Sequence, residues 1–354
     1  MSDLPDLLSL IEQGGTVRVE ALRLFAALAP SALHAADGAL ATRALDVLLR
    51  VLAVSDNAGG ELCFALTALV NLSAEPAFES ASAAHADALV LALVPLVSQR
   101  LKDATRAPVR RLASTLLANL STTEAHTDAL CGADDAASDA RPRLKRLLTL
   151  CTAVPDDESL EHVATVLQNC SRRQSLRTLL LHDDAAPLVS LAATVSRGTA
   201  LRRRGVAQVV RNLFVDETAR KRLAEPRAVL TPLFAVCPSE RDAGVLSAVV
   251  DVAFLLSHAE ASHATLRALQ APDALRAMFD LERAEPLDAT TAERASFCIR
   301  ELTKPKFIFA PDAFDDSSKP DGAPAAPKPA LGPDRGRESS AATAKPNNHM
   351  DELD

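Results

Sequence analysis

Arginine clusters in this sequence as no other reactive side chain does. Arg172, Arg173 and Arg177 are followed by Arg202, Arg203, Arg204 and Arg211, then by Arg220, Lys221 and Arg222. Planar guanidinium forks suit carboxylates, so the run reads either as a recognition surface for an acidic protein or as a solvated face. The chain as a whole has the opposite sign: 46 Asp and Glu outnumber 38 Lys and Arg, for a formal net charge of −8 at pH 7. That balance disfavours general nucleic-acid binding. RNA is a weaker third reading, because single strands stack on interleaved aromatic rings and this chain has 11 Phe but neither Trp nor Tyr.

Catalytic chemistry is sparse. No Walker loop, dinucleotide glycine motif, nucleophile elbow or His-Glu-x-x-His helix occurs. His258 and His263 lie near a turn with no carboxylate or Cys at ligand spacing, and read as solvated surface rather than metal ligands. Asp183–Asp184 and Asp156–Asp157–Glu158 are better explained as helix N-terminal charges than as acid/base pairs. The six cysteines are spread out with no Cys-x-x-Cys and read as reduced core thiols. The acidic N-terminus MSDLPDLLSLIEQGG carries no visible secretory or mitochondrial address, so the sequons at Asn71, Asn119 and Asn169 are not expected to be glycosylated. No run of 18 apolar residues free of charge is present, which excludes a transmembrane helix. The expectation is a cytoplasmic or nuclear protein that is no enzyme, with no catalytic residue, cofactor or metal, and no membrane partner.

The elements that must position the arginines follow from an internal repeat. FALTALVNLSAEP, RLASTLLANLSTTE, VATVLQNCSRRQ and VAQVVRNLFVDE align on Asn71, Asn119, Asn169 and Asn212, with weaker copies centred on Ala27, Leu255 and Glu301. Spacings of 43 to 50 residues match armadillo and HEAT repeats. Six residues before the aligned position stand Ala65, Ala113, Val163, Val206, Val249 and Ala295. Two before it stand Leu69, Leu117, Leu167, Val210, Ala253 and Ile299, and one after it Leu72, Leu120, Cys170, Leu213, Leu256 and Leu302. Steps of four and three put these on one helical face, which must be buried. The fold is all-α: an armadillo/HEAT-like α-solenoid with about seven repeats.

At about 100° per residue the aligned Asn falls roughly 130° from the buried face, with positions −8, −4 and −1 beside it. Reading across the repeats gives Arg111, Thr115 and Asn119; Glu161, Thr165, Gln168 and Asn169; Arg204, Gln208, Arg211 and Asn212; then Ser247 and Asp251. In a stacked solenoid this polar ladder lines one continuous, usually concave, surface. Each Asn either contacts a partner or hydrogen-bonds the neighbouring repeat, and the two roles are compatible. The partner-binding candidates are Arg111, Asn119, Asn169, Arg202, Arg203, Arg204, Gln208, Arg211 and Asn212. Reversing Arg204 and Arg211 to Glu is expected to abolish capture at little cost in stability, because exposed charges contribute little.

The solenoid is expected over residues 1–310, with CGADDAASDARP (131–142) as a surface loop. Residues 311–354 hold seven of the 21 prolines and Phe314 as their only aromatic, and read as a disordered tail. Truncation behind the repeats removes no repeat interface. Phe307, Ile308 and Phe309 are the exception, an apolar cluster placed to cap the last repeat.

LRRRGVAQVVRNLFVDE resembles the segment R-R-x-G-V-x(4)-R-N of the Hgh-type armadillo family. Arg202, Arg203, Gly205, Val206, Arg211 and Asn212 match it, and Arg204 stands where a small residue is common. VLQNCSRRQSLRTLLL resembles the family's L-x-N-x-S-x-R repeat through Leu167, Asn169, Ser171 and Arg173. ALRAMFDLERAEPLDATTAERASFCIREL is similar to its closing repeat, and coverage is about 60–305. The loop AVCPSERDA (235–243) is shorter than the acidic insertion of many members. The resemblance implies a cytosolic adaptor that holds translation elongation factor two and brings it to the chaperonin and the Hsp90-type machinery. Met350, Asp351, Glu352, Leu353 and Asp354 resemble the terminus by which Hsp90-type chaperones engage tetratricopeptide-repeat clamps, which adds a cochaperone as an expected partner. Rival readings are a general armadillo scaffold, an RNA-binding α-repeat and a nuclear import carrier. The absence of Trp and the Arg-bearing ladder argue against the carrier.

Overall fold

The computed structural model describes residues 3–33, 38–54, 60–98, 103–132, 140–223, 227–280 and 286–304. They form nineteen α-helices and two short 3-10 helices, with no strand among the described residues. Seven helices carry the repeat signature: Thr16–Leu33, Gly60–Leu72, Ala107–Leu120, Val163–Cys170, Ala200–Val215, Ala243–Ser257 and Ala289–Thr303. Each packs on the one before and the one after. Behind this ladder row stands a second one, Asp3–Gln13, Gly38–Val54, Ala86–Ser98, Ala140–Ala153, Ala186–Ala192, Arg227–Ala235 and Ala271–Ala277, stacked in the same order. Short helices such as Glu124–Cys131 and Gln174–Leu180 complete three-helix repeats.

The apolar pattern lands where helical periodicity puts it. From the second repeat on, every residue at the −6 and +1 positions is buried, as are the first five at −2; Ile299, in the last repeat, is only half-buried, and Leu28, at +1 of the first repeat, is 44% exposed. The core runs unbroken from Leu4 to Leu302. Helix starts are set by local acceptors: Thr199, Asp242 and Asp288 accept from the amides of Arg202, Val245 and Thr291, and Asp157 from that of Ser159. The Asp156–Glu158 run therefore begins a short helix, and Asp183–Asp184 lie in the turn before Ala186–Ala192.

Gly205 is needed for stacking. A Cβ built there would lie 2.7 Å from both the Cβ and the carbonyl carbon of Ala164 in the preceding ladder helix, so only hydrogen fits between the two backbones. Of the expected loop 131–142, Cys131 and residues 140–142 belong to helices, and 133–139 lie outside the described residues. So does the whole segment from Pro305 to Asp354, which includes Phe307–Phe309 and Met350–Asp354. No single described helix is long and apolar enough to cross a membrane.

Candidate functional site

The aligned asparagines bracket one repeat to the next. Asn119 Nδ2 donates to Ser73 Oγ at 2.8 Å, Asn169 to Ser121 Oγ at 2.9 Å, and Asn212 to Ser171 Oγ at 2.8 Å. Each accepting Ser stands two residues after the Asn of the preceding repeat, so the sequon spacing Asn-x-Ser is an inter-repeat clamp. The same amides approach backbone: Asn71 donates to Ala26 O at 3.0 Å, Asn169 to Ala118 O at 3.4 Å and Asn212 to Gln168 O at 3.4 Å. Between the fifth and sixth repeats the matching positions hold Phe214 and Leu255, an apolar pair in place of the polar one. Asn169 and Asn212 are thus committed to stacking, and exposed Asn119 retains a face toward solvent.

The arginine cluster is not the free basic surface its sequence suggests. Arg202 is 3% exposed, and its guanidinium donates to Thr194 O at 3.0 Å, Arg197 O at 2.9 Å, Thr194 Oγ1 at 2.9 Å and Cys151 O. It leaves the list of partner-binding candidates for that reason. Arg203 forms a fork on Glu240, with Nε–Oε2 at 2.7 Å and Nη2–Oε1 at 2.9 Å, and Glu240 is buried. Burial by itself would raise the Glu240 carboxyl, but the bonds from Arg203 and the Asp242 amide outweigh it and hold it below the ordinary value. Arg204 spans Asp242, Nε–Oδ1 at 3.1 Å and Nη2–Oδ2 at 2.7 Å, and lies across Gly244. Both carboxylates come from the short loop 235–243.

The pairing continues outward from there. Arg211 Nε meets Asp251 Oδ2 at 3.0 Å, and Arg294 reaches the other oxygen of the same carboxylate. Arg173 pairs with Glu124 and Asp128, Arg177 with Asp216 and Lys221 with Glu217, while Arg220 donates to Phe214 O. Arg111 pairs with Glu158 across repeats at 3.5 Å, both well exposed. Charge reversal at Arg204 or Arg211 would therefore set Glu against Asp242 or Asp251. The expectation of a stability-neutral reversal fails, because those carboxylates are 9% and 13% exposed.

What the ladder row leaves open is Arg111, Thr115 and Asn119 in the third repeat, then Gln208, half-buried, whose side chain makes no hydrogen bond to the described residues. In the last two repeats the face turns aromatic. Phe254 and Phe297 meet edge-on with centroids 5.4 Å apart, His258 stacks on Phe297 at 5.4 Å, and Arg294 lies 5.3 Å over Phe254. Sequence reading passed over this cluster, although Phe254 occupies position −1 and Phe297 position −4, where the fourth and fifth repeats hold Gln168 and Arg211, and Thr165 and Gln208. His263 Nε2 lies 2.7 Å from Ser257 O, and His258 Nδ1 2.7 Å from Phe254 O. No cluster of three or more metal-ligating side chains occurs among the described residues. All six cysteines are free, five of them buried.

Fold and face together define an armadillo-type α-solenoid. A family model described as "Domain of unknown function (DUF383)" matches residues 103–242, which include the third to fifth ladder helices, with Asn119, Asn169 and Asn212, and the Arg203–Glu240 clamp. Comparison with curated proteins gives no match. Among solved structures the chain is similar to a designed armadillo repeat protein at 16% identity and TM-score 0.53, covering 72% of this chain and 98% of that one. A second designed armadillo repeat protein, in complex with the peptide (KR)4, is similar at 16% identity and TM-score 0.51 with the same coverage. An engineered protein matches at 17% identity and TM-score 0.53, over 72% of this chain and 94% of that one. At such identities the likeness speaks for the fold alone.

Proposed function

We propose that this chain is a non-enzymatic protein-binding adaptor of the Hgh-type armadillo family, which holds partly folded elongation factor two for the cytosolic chaperonin and the Hsp90-type machinery. The observation that carries the protein-binding part is the unbroken row of seven ladder helices, polar through its middle and aromatic at Phe254 and Phe297. Six steps of about 8–10 Å between packed helices give a surface roughly 50–60 Å long, suited to many weak contacts with an irregular client. The family assignment rests on Arg202, Arg203, Gly205, Arg211 and Asn212. Every one of these has an architectural task here, so the motif marks how the fifth repeat is built rather than what it binds.

The designed relative's (KR)4 peptide is not carried over, since this ladder presents Arg204 and Arg211 and the chain has no Trp. RNA loses its supporting observation once the arginines are paired. The test is affinity capture from cytosol by the purified chain, with quantitative identification of what is retained. Enrichment of elongation factor two and chaperonin is expected. Retention of other proteins alone overturns the client assignment, and retention of none overturns the adaptor reading.

A further inference from the structure

The last ladder helix, Ala289–Thr303, has no repeat stacked on its outer face among the described residues. Position −5 points toward the following repeat: Ser114 Oγ donates to Ser159 O at 3.2 Å, and Ala164 abuts Gly205. Leu22, Leu66, Ser114, Ala164, Ala207 and Val250, at this position in the first six repeats, are all fully buried. Ser296, the seventh, is exposed, as are Ala289 and Thr303 on the same strip, and Ala292 and Ile299 are half-buried. The strip advances by steps of three and four residues, the spacing of a helix face that packs along another helix. Ser296, Ala292 and Ile299 line an open groove of about 1010 Å3 with Phe279, itself 44% exposed. Glu293 and Arg300 flank the strip two turns apart, both exposed, and neither makes an ion pair or a side-chain hydrogen bond among the described residues.

We propose that the occupant is a second copy of this chain, its Ala289–Thr303 helix laid antiparallel on the first about a two-fold axis. The charges select that partner. In an antiparallel helix pair, two residues seven apart on one flank face each other across the axis, so Glu293 of each copy meets Arg300 of the other. The same register sets Ser296 beside the partner's Ile299 and Ala292 beside the partner's Thr303. A parallel pair would instead set Asp288 against Glu293, like against like. The solenoid already uses this device inside one chain. Arg111 and Arg204 hold the position of Glu293 in earlier repeats, Arg211 that of Arg300, and each meets a carboxylate supplied by the following repeat. The last repeat has no follower, and its own two charges are complementary. A helix of 15 residues is about 22 Å long, which puts the contact at the small end for protein complexes, so the dimer is weak and forms as concentration rises. This interface goes beyond the adaptor reading and stands or falls independently of it.

Sedimentation equilibrium of the full-length protein at low salt, from about 1 µM to several hundred, reads the association. Monomer should give way to dimer and to nothing larger, because a two-fold contact closes on itself. Glu293→Arg alone, or Arg300→Glu alone, sets like charges at both contacts and should weaken self-association about tenfold or more. Helicity by circular dichroism should not change, since both sites are exposed. Mixed in equal amounts, the two variants bring two acidic flank positions on one copy against two basic ones on the other, and should form a heterodimer about as tight as the wild-type dimer. Both substitutions in one chain restore the pairing and should dimerise like the wild type. A wild-type protein that stays monomeric across the range overturns the proposal. So does association that the single reversals leave unchanged, or a mixture of the two that remains monomeric.

Discussion

Deleting Arg203 strands a buried carboxylate, and the cost follows from what remains around it. Glu240 is 5% exposed and takes two bonds from Arg203. Without them it keeps the amides of Arg241 and Asp242, each at 2.9 Å. Removing one partner of a buried pair costs roughly 3–5 kcal/mol. The two surviving amide bonds, and water entering where the Arg203 side chain was 22% exposed, reduce this to about 2–3 kcal/mol. Arg203→Ala, Glu240→Ala and the double variant form a cycle, followed by urea unfolding at 222 nm, with an expected coupling of about 1–3 kcal/mol. The clamp joins the fifth repeat to the loop that starts the sixth, so its loss should broaden the transition, as expected when one interface of a linear array is weakened. Because the Glu240 carboxyl is held low, its contribution is complete above the ordinary Glu value and is lost as pH falls through the depressed one. Arg203→Ala should therefore move acid unfolding to higher pH. A cost under about 0.5 kcal/mol, or no coupling, refutes the clamp.

Three further perturbations separate stacking from surface. Gly205→Ala gains about 0.8–1 kcal/mol of helix propensity but drives a methyl into Ala164, and overpacking of about 1–3 kcal/mol should win; a raised melting temperature contradicts that close approach. Asn169→Ala should cost about 1–2 kcal/mol in urea unfolding, and Ser121→Ala should add little once Asn169 is gone; full additivity would show that the bracket is not one unit. Burial holds His126 below the ordinary histidine value, outweighing the nearby Glu79 charge, so it must take up a proton on unfolding in mild acid. Stability should fall below about pH 6.5, with a slope of up to about 1.4 kcal/mol per pH unit from this group, and His126→Asn should flatten it; an unchanged slope removes His126 as the cause.

Period and burial were legible in the sequence because both are local. A helix repeats every 3.6 residues, and Ala65, Leu69 and Leu72 declare their common face without reference to any neighbour. The partners of polar side chains were not, because each lies some 40 residues away. Arg204 and Arg211 look like a basic patch until Asp242 and Asp251 are placed beside them by the stacking of the sixth repeat. One signal was available and unused. Asn-x-Ser recurs at Asn71, Asn119 and Asn169, and Asn212-Leu213-Phe214 breaks it just where the next repeat lacks an Asn, as a donor–acceptor chain between repeats requires. Phe254 and Phe297 were equally readable at ladder positions, hidden by alignment on asparagine.

The adaptor reading is tested most directly by titrating partly folded elongation factor two with the purified chain and with a Thr115→Glu, Gln208→Glu variant at physiological salt. Both substitutions sit on the open ladder face, and each sets Glu beside existing arginines: Arg111 one turn before Thr115, and Arg204 and Arg211 around Gln208. The fold should hold, with the melting temperature within about 2 °C. The account predicts at least tenfold weaker binding, about 1.4 kcal/mol. Equal affinity in a variant that remains folded contradicts it.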